Sequence, residues 1–151
     1  ILIPTRDKPE LIGACLASLA QLAYPGDTEI IIIDNGSRDP QALAILADAQ
    51  TRQRARVLRD DGPFNFSALN NRAAKLARGE LLCLLNNDVE ALDGHWLSAM
   101  VRHAARPDVG AVGALLLYPD GDIQHAGVAI GMGGAAGHIA RGVRPDERAH
   151  H

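Results

Sequence analysis

Several features are scarce in this chain, and each scarcity removes a class of protein. No run approaches the roughly 18 apolar residues that a membrane span requires, and no secretory leader opens the sequence. Cysteine occurs only twice, at Cys15 and Cys83, each inside an apolar periodic stretch. That placement suits buried, reduced thiols in a cytosolic protein and argues against a disulfide. Neither sign of charge dominates: 15 Lys and Arg face 18 Asp and Glu, for a net charge of −3. No global field therefore recruits nucleic acid or anionic lipid. Internal repeats and low-complexity tracts are absent. The dinucleotide fingerprint is missing too, because the first apolar run is followed by Pro4-Thr5-Arg6-Asp7 and not by a glycine turn. A looser match at Gly131-Met132-Gly133-Gly134-Ala135-Ala136 lacks the strand and helix context and reads as a flexible glycine-rich loop.

What is present fits one globular domain. The 151 residues are 47% hydrophobic, enough to bury a single core. Ile1-Leu2-Ile3 reads as a short strand. Asp7 then offers a helix cap, with Glu10 three residues on as in a capping box, and Leu11, Ile12, Cys15, Leu16 and Leu19 recur at helical spacing. Glu29 to Ile33 contains four consecutive isoleucines, the habit of a strand covered on both faces. Asp39-Pro40 opens a helix predicted to reach about Arg54. Arg56–Arg59 is a short strand, residues 67–78 a third helix stopped by Gly79, and Leu81–Leu85 another buried strand. Asp93 caps a fourth helix that ends near Pro107. Val109–Leu117 and Ile123–Ile130 read as strands joined by the turn Pro119-Asp120-Gly121-Asp122. Strands alternating with helices predict an α/β fold, an open doubly wound and mostly parallel sheet with helices on both faces. The domain is read as residues 1–148, cut at both ends, with 149–151 a tail.

In an open parallel sheet, ligands bind beyond the carboxyl ends of the strands. Four polar clusters follow four predicted strands: Pro4-Thr5-Arg6, Asp34-Asn35-Gly36-Ser37, Arg59-Asp60-Asp61 and Asn86-Asn87-Asp88. All should lie along one edge. Asp34 either caps the next turn or accepts hydrogen bonds from a base or ribose. Asp88, beside amide oxygens, suits a hard divalent cation that completes its shell with phosphate oxygens and water. Asn65, Asn70 and Asn71 read as caps or braces of the third helix, and Phe64 and Phe66 as packing residues. Arg6 and Arg72 are either solvated or aids to a leaving phosphate. His125 and His138 are either structural or lining for a ligand, and Asp120 and Asp122 read as turn residues.

Four motifs together, Ile3-Pro4-Thr5-Arg6, Ile33-Asp34-Asn35-Gly36-Ser37, the run from Gly62 to Asn71 and Leu85-Asn86-Asn87-Asp88, resemble the family-2 glycosyltransferases. The stretches Leu117–Gly121 and Ile123–Gly127 fit the rhamnosyltransferase-like members that build O-antigen and other bacterial surface polysaccharides. The resemblance spans nearly the whole chain. It implies a GT-A fold binding a UDP- or dTDP-linked sugar with Mg²⁺ or Mn²⁺, and an inverting transfer to a glycan or lipid-linked glycan. Carried over by position, Pro4, Thr5, Arg6, Asp34, Asn35, Asp61 and Asn87 bind nucleotide and Asp88 holds metal, while Asn86, Arg72 and His125 are donor-site candidates. Asn86 stands where the family's Asp-x-Asp motif begins with aspartate, which leaves one carboxylate for the metal. The resemblance places the catalytic base beyond this chain, so the alternative is a nucleotide-binding module without turnover. It also implies a location in the cytoplasm, at the inner face of the membrane.

Overall fold

A computed structural model describes residues 1–52, 55–131 and 134–145. The predicted end of the second helix at Arg54, the Met132-Gly133 part of the glycine-rich loop and the 149–151 tail lie outside the described residues. The chain forms two compact units, Ile1–Val101 and Arg102–His151.

The first unit is built on three parallel strands, β1 (Leu2–Thr5), β2 (Ile31–Asp34) and β3 (Arg56–Arg59), in the order β1-β2-β3. Alternation of side chains across the sheet divides the core into two layers. Ile3 and Ile32 face α1 (Pro9–Leu19) and α2 (Pro40–Arg52), where they meet Ile12, Cys15, Leu16, Leu19, Leu46 and Ala49. Leu2, Ile31 and Ile33 face the other way, onto Leu69 and Ala73 of α3 (Phe66–Ala74). The isoleucine run is thus buried on both sides, as its composition predicts. Helices do cover both faces.

Leu81–Leu85 departs from its prediction. Its backbone pairs with β1 alone: Leu2 N–H donates to the Cys83 carbonyl at 2.8 Å, and Leu85 N–H to the Leu2 carbonyl at 2.9 Å. No strand pairs with its outer side among the described residues, and Leu81, Leu82 and Leu84 are 45%, 50% and 55% exposed. An apolar run shows that a segment tolerates burial, not how many neighbours it has. Cys83 is accordingly half-buried, whereas Cys15 is fully enclosed, and both thiols are free.

The capping box at α1 also fails to form. The residue before Pro9 is Lys8, in the left-handed region with no side-chain cap. Asp7 is instead taken by a different loop, because its Oδ1 accepts the Arg38 and Asp39 N–H groups at 2.6 and 2.8 Å. Asp39 does cap α2, accepting from Gln41 and Ala42. Asn65 caps α3 through the Ala68 N–H, and Asn70 braces that helix by donating to the Phe66 carbonyl. Phe64 and Phe66 are not packing residues: they are 66% and 40% exposed. Leu69, Asn70 and Ala73 carry the buried face of α3. Asp93 accepts the His95 N–H just before α4 (Trp96–Ala104).

The second unit holds two small antiparallel pairs, β4 (Leu116–Leu117) with β5 (Ile123–His125), and β6 (Val128–Ile130) with β7 (Ala136–His138). The predicted strand over Val109–Leu117 shrinks to its last two residues, since Gly110 and Gly113 interrupt it. Ile123–Ile130 is broken into two strands at Gly127, whose φ of 115° no extended strand adopts. The Pro119–Asp122 turn is present: Gly121 N–H reaches the Tyr118 carbonyl and Tyr118 N–H the Asp122 carbonyl.

Candidate functional site

The carboxyl ends of the strands in the first unit carry two groups of bonded polar side chains set side by side. Strand register sets them up, with Thr5 beside Asp34 and Asp34 beside Arg59. Asn87 Nδ2 donates to Thr5 Oγ1 at 3.0 Å. On the other flank, Arg59 donates to Asp34 Oδ2 at 2.6 Å, to the Ser37 carbonyl at 2.9 Å and to Asp61 Oδ1 at 2.7 Å. Asp34 is 2% exposed. A buried carboxylate of this kind must be hydrogen-bonded or paired. Its second oxygen, Oδ1, accepts the Ser37 N–H at 2.9 Å. Two carboxylates share one guanidinium here, and contact with Asp34 first and Asp61 second pushes Arg59 still further toward its charged form.

A second layer holds these groups in place. Asn35 is buried, and its Nδ2 straps the Asp60 and Gly62 carbonyls at 3.0 and 2.9 Å. Asp60 in turn accepts the Gly62 N–H at 2.9 Å and pairs with Arg72 at 2.6 Å. The turn at Asp34-Asn35-Gly36-Ser37 needs its glycine, since Gly36 has φ 76°.

The Asn86–Asp88 turn is fixed from below by α1. Cys15 Sγ sits 3.8 Å from the Asn86 carbonyl, and Ser18 Oγ accepts the Ala91 N–H at 3.0 Å. Burial, with Asp88 and Glu90 nearby, pushes the Cys15 thiol up to about 11, so it packs as an inert neutral group. Asn86 and Asp88 are exposed, and Asn87 is half-buried. Asp88 makes no ion pair among the described residues, so its carboxylate remains available. No group of three His, Cys, Asp or Glu side chains converges among the described residues.

The structure therefore brings Pro4, Thr5, Asp34, Asn35, Asp61 and Asn87 together along one edge, with Asn86 and Asp88 on the turn at its end. Arg6 follows β1 with its side chain exposed. Arg72 belongs to the supporting layer through Asp60. His125 lies in the second unit, on β5. Sequence reasoning missed the bridging role of Arg59. Its signal was positional: the last residue of β3 stands in register with the last residue of β2.

Known proteins decide the family. The model for glycosyl transferase family 2 matches residues 1–138. The chain belongs to glycosyl transferase family 2. An uncharacterized protein, y4gI, of Sinorhizobium fredii is 50% identical over 139 residues, and the O-antigen biosynthesis protein RfbC of Myxococcus xanthus is 48% identical over 139 residues. Each alignment covers 91% of this chain but only 15% and 11% of those relatives, so the chain spans a small part of their length. Among solved structures, the mannosyltransferase PcManGT from Pyrobaculum calidifontis, in complex with GDP-Man and Mn²⁺, gives a TM-score of 0.69 at 24% identity over 79% of this chain and 35% of that one. Residues 1–349 of S. aureus TarS, in complex with UDP-GlcNAc, give 0.58 at 24% identity over 69% and 30%. The fold of this family-2 chain is thus the GT-A arrangement, with parallel strands between helices.

Proposed function

We propose that this family-2 domain binds the donor for an inverting sugar transfer from a UDP- or dTDP-linked sugar to a glycan or lipid-linked glycan. The work of the parent protein would be bacterial surface polysaccharide synthesis at the cytoplasmic side of the membrane, with a rhamnosyltransferase-like subgroup as the model. One observation carries the reading: two hydrogen-bonded groups, Asn87–Thr5 and Asp34–Arg59–Asp61, set side by side by strand register along the ligand-binding edge of a parallel sheet. Their exposed members, Arg59 and Asp61, and the half-buried Asn87 offer donors and acceptors to a nucleoside, while the buried Thr5 and Asp34 hold them in place. The 48% identity to an O-antigen biosynthesis protein supports the pathway class.

The donor set at the Asn86–Asp88 turn fits Mg²⁺ or Mn²⁺. Asp88 supplies an exposed carboxylate free of ion pairs among the described residues, and Asn87, with Nδ2 committed to Thr5, keeps its amide oxygen for an incoming group. A hard cation held there would neutralise charge growing on the departing diphosphate. The protein's own part is positional. Thr5 orients Asn87, Arg59 keeps Asp34 and Asp61 apart from one another's charge, and the α1 contacts hold the turn rigid for a diphosphate.

A second reading, binding without turnover, has its own support. The buried carboxylates Asp34 and Asp60 are both paired with arginine, as is Asp61, and none is left unpaired to take a proton from an acceptor hydroxyl. Sugar release from UDP- and dTDP-sugars, followed on this chain, separates the two readings.

Calorimetry with UDP and dTDP, with and without Mn²⁺, tests donor binding. With Mn²⁺ present, Asp88→Ala should weaken diphosphate binding at least about tenfold, the scale on which metal-site partners act. Without the ion it should change little. Binding that ignores both the ion and Asp88 would remove the metal role, and failure of either diphosphate to bind would remove the donor role.

A further inference from the structure

The second unit carries a pair of side chains that the donor site does not use. His125 ends β5 and His138 ends β7. Their Nδ1 atoms face each other at 2.9 Å, with ring centroids 5.1 Å apart and planes at 81°. His125 is half-buried and His138 exposed. At that separation a single hydrogen lies between the rings, one nitrogen donating and the other accepting. The hairpins fix both rings. β7 is registered on β6, with His138 opposite Val128, and Ile139 N–H donates to the Gly127 carbonyl at 3.1 Å, closing the hairpin against the bend after β5.

With the shared hydrogen moved off Nδ1, both nitrogens present lone pairs, and two such atoms held this close are the two arms of a chelate. An ion about 2.0–2.1 Å from each of two nitrogens 2.9 Å apart would see them at an angle of roughly 90°. That angle belongs to octahedral or tetragonal coordination; tetrahedral zinc asks for nitrogens further apart. No third His, Cys, Asp or Glu completes a cluster among the described residues, so water would fill the remaining positions. On the far side of the His125 ring, Gly113 has no side chain, and a Cβ there would already stand 3.4 Å from Nε2. The ring edge is thus left open for the Nε2–H that a metal-bound imidazole keeps.

We propose that His125 and His138 form a two-imidazole site for a divalent transition cation of octahedral or tetragonal preference, which replaces the hydrogen they share: the ring that carried it at Nδ1 gives that proton to water and takes one at Nε2, so that both Nδ1 lone pairs face the ion.

Ni²⁺ is the probe, added to the full chain without nucleotide. Long-range proton–nitrogen NMR of the imidazoles should show His125 and His138 broadening together at substoichiometric Ni²⁺, ahead of His95 and His103. Calorimetry should show His138→Gln and His125→Gln each weakening Ni²⁺ at least tenfold, with circular dichroism unchanged. A control with His150→Gln and His151→Gln together should stay within twofold of the parent. Zn²⁺ should bind more weakly than Ni²⁺ at this pair. The proposal falls if the His150 and His151 substitutions abolish binding, if His138→Gln stays within twofold, or if other histidines broaden first. It falls also if Zn²⁺ occupies the pair more tightly than Ni²⁺.

Discussion

The two units of this chain hold their polar machinery in opposite ways. In the first, Ile3, Ile31, Ile32 and Ile33 are wholly buried between helices, and the polar groups at the strand ends inherit their rigidity. In the second, Ile123 is the one buried hydrophobic residue of the described set, while Leu115, Val128, Ile130 and Ile139 stand 55%, 50%, 93% and 40% exposed. There the backbone supplies the order: short hairpins, glycines with positive φ and a pair of facing rings. Side-chain packing fixes geometry to within tight limits because interiors are close-packed. Hairpins with little buried area open at lower free energy.

Substitutions can break this contrast. The largest effect is expected from Ile32→Ala, at about 2–5 kcal/mol for a buried large-to-small change. Urea unfolding followed by Trp96, whose ring packs on that core, measures it. A loss below 1 kcal/mol would mean that the first unit is not held by its core. Next comes Gly127→Ala. Its φ of 115° lies where a Cβ is strained, and a cost of roughly 1–2 kcal/mol is expected. That loss should appear as faster amide exchange in β6 and β7, with β1–β3 unaffected. Equal loss of protection in both units would erase the distinction.

Acid should act on the first unit through Glu29 and Asp7. Glu29 receives the Arg56 guanidinium at 2.9 Å and the Arg78 N–H at 3.1 Å, and these hold its carboxyl below the ordinary 4.5. The Asp39 and Arg38 N–H groups hold Asp7 below 3.8. A carboxylate whose pKa is depressed in the folded state stabilises above its unfolded value, and that contribution disappears as pH falls through the folded value. The Trp96 midpoint should therefore stay level down to about pH 4.5 and decline below it, with a shallower decline in Glu29→Gln. An identical acid profile in that variant would take Glu29 out of the account. The smallest effect belongs to Ile130→Ser, expected within about 0.5 kcal/mol because the side chain is almost entirely in water.

Much of the first unit was legible in sequence. Four isoleucines in a row announce a doubly covered strand, Asp39-Pro40 announces a helix start, and the residues that follow β1, β2 and β3 announce an edge. What failed was any question about partners. Leu81–Leu85 reads the same whether one strand flanks it or two. Asp7 has the chemistry of a helix cap, and only the approach of the 38–39 backbone decides that it serves elsewhere. Phe64 and Phe66 read as packing because aromatic residues usually pack, yet α3 turns Leu69 and Ala73 to the sheet. In the candidate site, the placement of Thr5, Asp34, Asn35, Asp61 and Asn87 at the strand-end edge followed from position along the chain. The bridging of Arg59 and the facing of His125 and His138 depend on side-chain direction, which spacing does not encode.

Asp7 also makes two loops into one part. It and Lys8 both sit at φ near +54°, a conformation costly for residues with a Cβ, and the carboxylate spans to the backbone at 38 and 39 while Ser37 Oγ accepts the Asp7 N–H. For anyone exchanging segments between members of this family, residues 5–8 and 36–39 form a single cassette. Transplanting either half alone would strand a strained turn without the contacts that hold it.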